Sequence, residues 1–519
     1  MSAPELLHTP LLAQAAERPS TTALVDRTAT LSYAELGESV RACAAGLQQL
    51  GLASGDRVAV YLEKRVETVV ASFGCTAAGG VLVPVNPVLK PRQVAHILAD
   101  SEARFLVTSP ERLLPLAAAL DEQSGLEQVV LVGELPGEVD ERWEVHSWDA
   151  LAGVAEPADP GLGEESLAAI LYTSGSTGRP KGVVLSHANL AIGARSVNEY
   201  LGNGPEDCLL AALPLSFDAG FSQLTTGFAA GARVVLHNYL LPGDVVRACA
   251  EHGVTGLTCV PPLWMQIAER EWPQEARGLR YFANTGGRMP ASLLARLREL
   301  FPDAAPFLMY GLTEAFRSTY LDPAEVDRRP GSIGKAIPNA EVLVVGPEGE
   351  LRGAGEEGEL VHCGPLVAQG YWRDPERSAE RFKPAPAGSR YEGDAVYSGD
   401  IVSADEDGFL YFVGRDDEMI KTSGYRVSPT EVEEAAYASG LVGDAVALGL
   451  ADERLGQRVV LAASPAGDGE LDPAALLRAL GRDLPRFMLP GEVEVRAELP
   501  RSPNGKFDRT ALRRELEAR

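Results

Sequence analysis

The sequence predicts an α/β protein with a large multi-sheet N-terminal region and a small α+β C-terminal region. Three observations predict it. Short β-branched runs alternate with Ala/Leu/Glu-rich stretches through the first 400 residues. Those runs are apolar throughout, as strands covered on both faces are. Near residue 400 the texture changes to closely spaced strand-like and helix-like segments.

In chain order, Arg57–Leu62, Gly80–Val85, Phe105–Thr108, Gln128–Val132, Leu167–Tyr172 and Ala232–Leu236 read as buried strands. Tyr33–Leu50 and Gly243–His252 carry the spacing of amphipathic helices. Pro136–Pro160, rich in Pro, Gly and acidic residues, reads as a surface connection. Gly408–Val413 is strand-like and is followed by the polar turn Gly414–Glu418. After it come a helix over Pro429–Ser439, strands at Ala445–Leu450 and Arg458–Ala463, and a helix over Asp472–Leu484. The domain boundary falls at Asp417, dividing the chain into residues 1–416 and 417–519.

Composition narrows the function. Hydrophobic residues make up 45% and charged residues 23%, as in an ordinary globular enzyme. The formal charge of −26, from 47 basic and 73 acidic residues, argues against a broad nucleic-acid or anionic-membrane surface. It does not argue against a nucleotide, which needs only a local cradle of N–H groups and a few cations. The six cysteines, at 43, 75, 208, 249, 259 and 363, show no metal-ligand spacing and read as thiols in a reducing compartment. The N-terminus lacks the basic and apolar regions of a secretory signal, and no 18-residue apolar window is present. The expected location is the cytoplasm.

The strongest local signal is Tyr172-Thr-Ser-Gly-Ser-Thr-Gly-Arg-Pro-Lys181-Gly182, directly after an apolar strand. Thr173, Ser174, Gly175, Ser176, Thr177 and Gly178 form a loop whose N–H and O–H donors can converge on phosphate oxygens. Lys181 adds a cation at its end. It is not a Walker A loop, because Gly182 and not Ser or Thr follows the lysine.

This string resembles the phosphate loop of the adenylate-forming superfamily: acyl-CoA synthetases, peptide-synthetase adenylation domains and luciferases. Four further motifs resemble that family's in order: Tyr310-Gly-Leu-Thr-Glu314, Tyr397-Ser-Gly-Asp400, Gly414-Arg-Asp-Asp417 with Lys421–Pro429, and Asn504-Gly-Lys506. The resemblance implies a large α/β domain carrying a small mobile lid. It implies ATP and Mg²⁺ as cofactors, with Tyr310 against adenine, Thr313 on the α-phosphate and Glu314 holding the metal. Asp400 would bind the ribose with help from Arg415. Gly286 and Gly287, in Asn284-Thr-Gly-Gly, would let backbone approach adenine and the acyl group. Lys506 would bridge the carboxylate and the α-phosphate when the lid is closed, and Asp417 would be the hinge for a second, acyl-transfer step.

The acid is less defined. Phe217-Asp218 stands where many acyl-CoA synthetases carry an aromatic residue and His, and where peptide-synthetase domains use Phe-Asp to bind an amine. A buried carboxylate needs a partner, and Arg317 lies three residues beyond Glu314. Either Asp218 and Arg317 grip two ends of a polar, amine- or hydroxyl-bearing acid, or they pair and shape the pocket. Trp264, Met265, Phe282, Met309 and Phe316 are candidate walls, with core packing the competing reading for each. His187 and Asn189 read as helix-capping. The thiol acceptor is coenzyme A or the phosphopantetheine of a separate carrier protein. A non-thiol nucleophile, a medium- or long-chain fatty acid as substrate, a luciferase-like oxygenase and a non-catalytic binding protein are the alternatives.

Overall fold

A computed structural model describes residues 5–518, apart from 121–124, 135–140, 152–155, 174–179, 416–417, 423–424, 453–454, 468, 485, 487 and 504. Among the described residues, three sheets organise the chain. One has seven strands, of which Arg57–Tyr61, Val81–Pro84, Phe105–Thr108, Gln128–Leu131 and Glu144–Ser147 run parallel. Leu167–Thr173 joins them in parallel and Lys181–Ser186 closes that edge antiparallel. A second, fourteen-stranded sheet has a parallel half ending at Tyr281–Asn284 and Ala305–Tyr310, and an antiparallel half that includes Asp394–Ala404 and Leu410–Arg415. The third, five-stranded sheet lies within residues 420–495.

Helices fill the space between the two large sheets. Tyr33–Gln49 begins with a capping box, Ser32 and Glu35 exchanging bonds with each other's backbone N–H groups. Val66–Ala77 is buried on nearly every side, as the absence of a polar face in its sequence requires. Phe73 of this helix stacks on Phe221 at 5.9 Å and meets Phe228 edge-on at 5.5 Å. One hydrophobic core therefore joins Val58 and Phe105 of the first sheet to Leu209 and Val234 of the second. Helices Pro91–Ser101 and Pro110–Ala117 cover the outer face of the first, and Pro242–His252, Pro261–Ala268 and Ala291–Leu300 that of the second. Two large sheets with three helical layers result.

The strands and helices expected from the sequence are present with ends shifted by a residue or two, but four expectations need correction. Residues 136–160 are not only a connection: Glu144–Ser147 adds an edge strand beside Gln128–Leu131, and Trp143 is buried beneath it. At four residues the strand is too short to stand out from the surrounding acidic, Pro/Gly-rich composition. The C-terminal strands are longer than expected, at Val442–Asp452 and Gly456–Pro465. Trp264 and Phe282 are core residues packed on each other at 5.7 Å under the outer helices. Asn189 completes a capping box with Ser186, whereas His187 accepts a hydrogen bond from the Leu7 N–H at 3.0 Å. All six cysteines are unpaired and buried, and among the described residues no helix is long and apolar enough to cross a membrane.

Because Phe73 anchors the shared core, Phe73→Ala is expected to destabilise the chain by about 3–5 kcal/mol, read as an earlier urea midpoint. An unchanged midpoint would mean that the two sheets do not depend on this packing.

Candidate active site

The first component is a hairpin. Leu167–Thr173 and Lys181–Ser186 pair so that Thr173 faces Lys181, with residues 174–180 between them in the chain. Ser174, Gly175, Ser176, Thr177 and Gly178 lie outside the described residues. Thr173 Oγ1 is buried and has no hydrogen-bond partner. Lys181 extends to the second sheet, where its Nζ donates to Glu314 Oε1 at 2.9 Å and to the Tyr371 hydroxyl at 2.5 Å. Tyr371 in turn donates to the same carboxylate oxygen at 2.7 Å, and its ring lies 4.0 Å beneath the ammonium. Burial alone would raise the Glu314 carboxyl, but Lys181 and the Tyr371 hydroxyl outweigh it and hold it below its ordinary value. Tyr371 was missed from sequence, since nothing local marks Gly370-Tyr-Trp as part of a site.

The second component is the end of strand Ala305–Tyr310. Tyr310 donates a short hydrogen bond to Asp400 Oδ2. Asp400 sits across from Arg415 on neighbouring strands, with the guanidinium 3.6 Å from Oδ1. That Oδ1 is buried and accepts no hydrogen bond. Burial pushes the Asp400 carboxyl above its ordinary value, against the opposing pull of Arg415 and Tyr310.

Asn284, on the parallel strand beside it, is also missed as a site residue. Its Nδ2 donates to Gly287 O at 2.7 Å, and its buried Oδ1 has no partner. Gly286 has φ of 72°, which suits glycine, and a Cβ there would stand 3.6 Å from Lys506 Cε. The exposed Lys506 therefore lies against the Gly286–Gly287 strip. Its hairpin is held by Ser502 N–H donating to Lys506 O at 2.7 Å and by a two-pronged Arg501–Asp444 contact at 2.8 Å. Asp417 lies outside the described residues.

The third component is a narrow cavity with free room of about 20 Å³. Met309 and Arg317 line it with Ser222, Thr226, Thr258 and Tyr281 among others. Asp218 begins helix Asp218–Ala230, where the helix dipole favours a carboxylate. Its Oδ2 is 3.2 Å from Arg317 Nη1, and Thr313 Oγ1 donates to its Oδ1 at 3.5 Å. Arg317 is 2% exposed, and its Nε has no hydrogen-bond partner. Phe217, half-buried just before the helix, is not among the lining residues, and Ser216 Oγ is buried without a partner.

A strained turn links the second and third components. Phe316 has φ 59° and ψ −63°, and Arg317 N–H donates to Ala315 O at 2.6 Å. That is a γ-turn of the rare, strained hand. Phe316 is fully buried against Gly193, where any Cβ would come within 2.6 Å of its ring. The packing locks the turn, and the turn directs Arg317 into the cavity while Glu314 faces Lys181.

The donor set suits Mg²⁺ bound through a nucleotide. Mg²⁺ takes one or two carboxylates and completes its shell with phosphate oxygens and water. Glu314 supplies one carboxylate beside the Thr313 hydroxyl, and among the described residues no cluster of three or more acidic, His or Cys ligands forms an all-protein cage.

Lys181→Met leaves Glu314 buried without its cation. In the parent chain the lowered Glu314 carboxyl adds stability above the ordinary carboxylate pKa, lost as pH falls through it. Without the ammonium, burial raises that carboxyl, and stability is instead lost as pH rises. Urea unfolding at about pH 5 and about pH 8 is expected to show the larger cost at the higher pH. A pH-independent difference would contradict this.

The chain matches the family profile "AMP-binding enzyme" over residues 11–372 and "AMP-binding enzyme C-terminal domain" over residues 431–506. It is 32% identical to a feruloyl-CoA synthase of Amycolatopsis sp, over 96% of both chains. It is 31% identical to the indoleacetate–CoA ligase of Aromatoleum aromaticum, over 95% of both. The ATP-bound crystal structure of MatB from Rhodopseudomonas palustris superposes with a TM-score of 0.87 at 27% identity, covering 99% of both chains, and the apo structure of that protein with 0.77. The chain belongs to the AMP-binding enzyme family, and it is a ligase of the adenylate-forming superfamily.

Proposed function

We propose that the protein activates a small, oxygen-bearing carboxylic acid with ATP as an acyl-adenylate and transfers the acyl group to the thiol of coenzyme A. The observation that carries the first step is the set of unpartnered buried atoms. Of the eleven such atoms among the described residues, Thr173 Oγ1, Asn284 Oδ1 and Asp400 Oδ1 sit on motif residues and Ser216 Oγ beside the Phe217-Asp218 pair. Buried polar atoms are rarely left unpaired unless a ligand or water completes them. Two acceptors, Asn284 Oδ1 and Asp400 Oδ1, fit an exocyclic amine and a ribose hydroxyl. The two hydroxyls fit phosphate and carboxylate oxygens.

In this reading Thr173–Gly178 and Lys181 hold the β- and γ-phosphates, Tyr310, Gly286 and Gly287 hold adenine, and Asp400 with Arg415 holds the ribose. Thr313 and Glu314 face the α-phosphate, and Mg²⁺ bound there would neutralise phosphate charge. An acid oxygen attacks the α-phosphorus, its P–O bond to the β-phosphate breaks, and pyrophosphate leaves. Both reactants are anions, so approach is the costly part. Lys506 supplies the positive charge between them, and Lys181 turns from Glu314 towards the leaving group. Residues 1–416 form the large domain and 417–519 the small one, with Asp417 as hinge. Coenzyme A as acceptor is supported by the printed activities of the two relatives. A carrier protein or a non-thiol nucleophile is what the acceptor assay below would reveal instead.

The Asp218–Arg317 contact favours the pocket-shaping alternative. Each charge neutralises the other, so neither an ammonium nor a second carboxylate finds a free counter-charge. The unpaired Arg317 Nε–H instead asks for a neutral acceptor, such as a hydroxyl, ether or keto oxygen. The lining is mixed, with Ser222, Thr226, Thr258 and Arg317 beside Val197, Leu201, Leu209 and Met309, and suits an acid with both an apolar body and a polar oxygen.

Acid-dependent pyrophosphate release is expected from oxygen-bearing acids, and none from any acid would sink the first step. Lys506→Ala is expected to slow that release about 10²–10³-fold with ATP affinity kept. Near-parent release would remove Lys506 from the chemistry. Offering coenzyme A, a phosphopantetheinylated carrier protein and an amine separately identifies the acceptor, and thioester with coenzyme A is the expected product. Arg317→Met is expected to lower kcat/KM for the oxygen-bearing acid about ten-fold relative to its hydrocarbon isostere. Equal losses for both acids would sink the pocket assignment.

A further inference from the structure

Lys506 stands on the small domain, and few contacts fix where that domain sits. Asn86 Nδ2 approaches Pro503 O at 3.5 Å, and Lys506 itself rests on Gly286. The one charged contact described between these surfaces joins Arg288 Nε to Glu434 Oε1. Arg288 follows the Gly286–Gly287 strip directly, and Glu434 lies in helix Pro429–Ala438, which packs against helix Ala291–Leu300. The guanidinium passes over Gly331, where a Cβ would come within 3.0 Å of Nη2. Burial raises the Glu434 carboxyl and Arg288 opposes that rise, so the ion pair forms in a partly desolvated seam.

We propose that the Arg288–Glu434 ion pair seats the Lys506 hairpin over the Gly286–Gly287 strip, making Arg288 a positioning residue for adenylation. The inference rests on the adenylation reading above. Both partners of the pair are attached to the surfaces that must meet: Arg288 one residue beyond the strip, Glu434 on the domain that carries the lysine. The strength also fits a reversible seat. Both side chains are about a third exposed, at 35% and 39%, so the pair is worth only a few-fold in an equilibrium constant. That is enough to bias a nearly balanced pair of domain orientations and weak enough to release for acyl transfer. Arg288 touches neither reactant in this assignment. It acts through the placement of Lys506.

The test uses the full chain as R288E, E434R and the double charge swap. Each single variant is expected to lower kcat for acid-dependent pyrophosphate formation about five-fold, with KM for ATP and the thermal midpoint unchanged. The swap is expected to recover to within about two-fold of the parent. Dyes on Leu114→Cys and Arg514→Cys report domain orientation, the six native thiols being buried. The single variants should lengthen the mean dye distance and the swap should restore it. Single variants at parent rate, or a swap no better than the singles, would overturn the proposal. If the parent released no pyrophosphate while the dyes still responded, adenylation would fail and the seat would stand. Unresponsive dyes would overturn the seat alone.

Discussion

The site depends on one buried contact between the two large sheets, the Lys181 ammonium on the Glu314 carboxylate. Lys181 comes from the hairpin edge of the seven-stranded sheet, and Glu314 from the turn after a strand of the fourteen-stranded sheet. Their side chains are 19% and 13% exposed, so neither charge is cheap to bury alone. Tyr371 supplies a hydroxyl to both and a ring face to the cation, which makes the pair tolerable. In the proposed reaction a triphosphate entering this position would offer Lys181 a stronger anion and release Glu314 for a metal. The contact thus holds both side chains at the junction of the two sheets.

The same short segment sets the other end of the site. Within five residues, Thr313 reaches Asp218, Glu314 faces Lys181 and Arg317 lines the cavity. A regular helix or strand could not aim them so differently over so few residues, and the γ-turn at Phe316 does. Its strain is held by complete burial against Gly193 rather than by any hydrogen bond of its own side chain. In the proposed function this turn fixes the nucleotide and acid positions to one another.

Much of this was legible in the sequence because the motifs are local. The strand before the phosphate loop, the Tyr310–Glu314 turn and the order of the remaining motifs each need only neighbouring residues. The features that were not legible are long-range. Tyr371 lies 57 residues beyond Glu314, and nothing in its own neighbourhood marks it. The orphan oxygen of Asn284 shows only in the folded chain, where its Nδ2 donates to Gly287 O and its buried Oδ1 meets no donor. The Asp218–Arg317 pairing spans 99 residues, so spacing could name both partners but could not choose between two roles. Trp264 and Phe282 were candidate walls because aromatic residues near a binding motif look alike whether they face a cavity or a core.

The most direct test of the central claim follows oxygen. An acid labelled with oxygen-18 in its carboxylate is turned over with ATP and coenzyme A, and the products are analysed by mass spectrometry. Attack on the α-phosphorus carries one labelled oxygen into AMP, and this is the result predicted here. Label in inorganic phosphate, or unlabelled AMP, would contradict an acyl-adenylate.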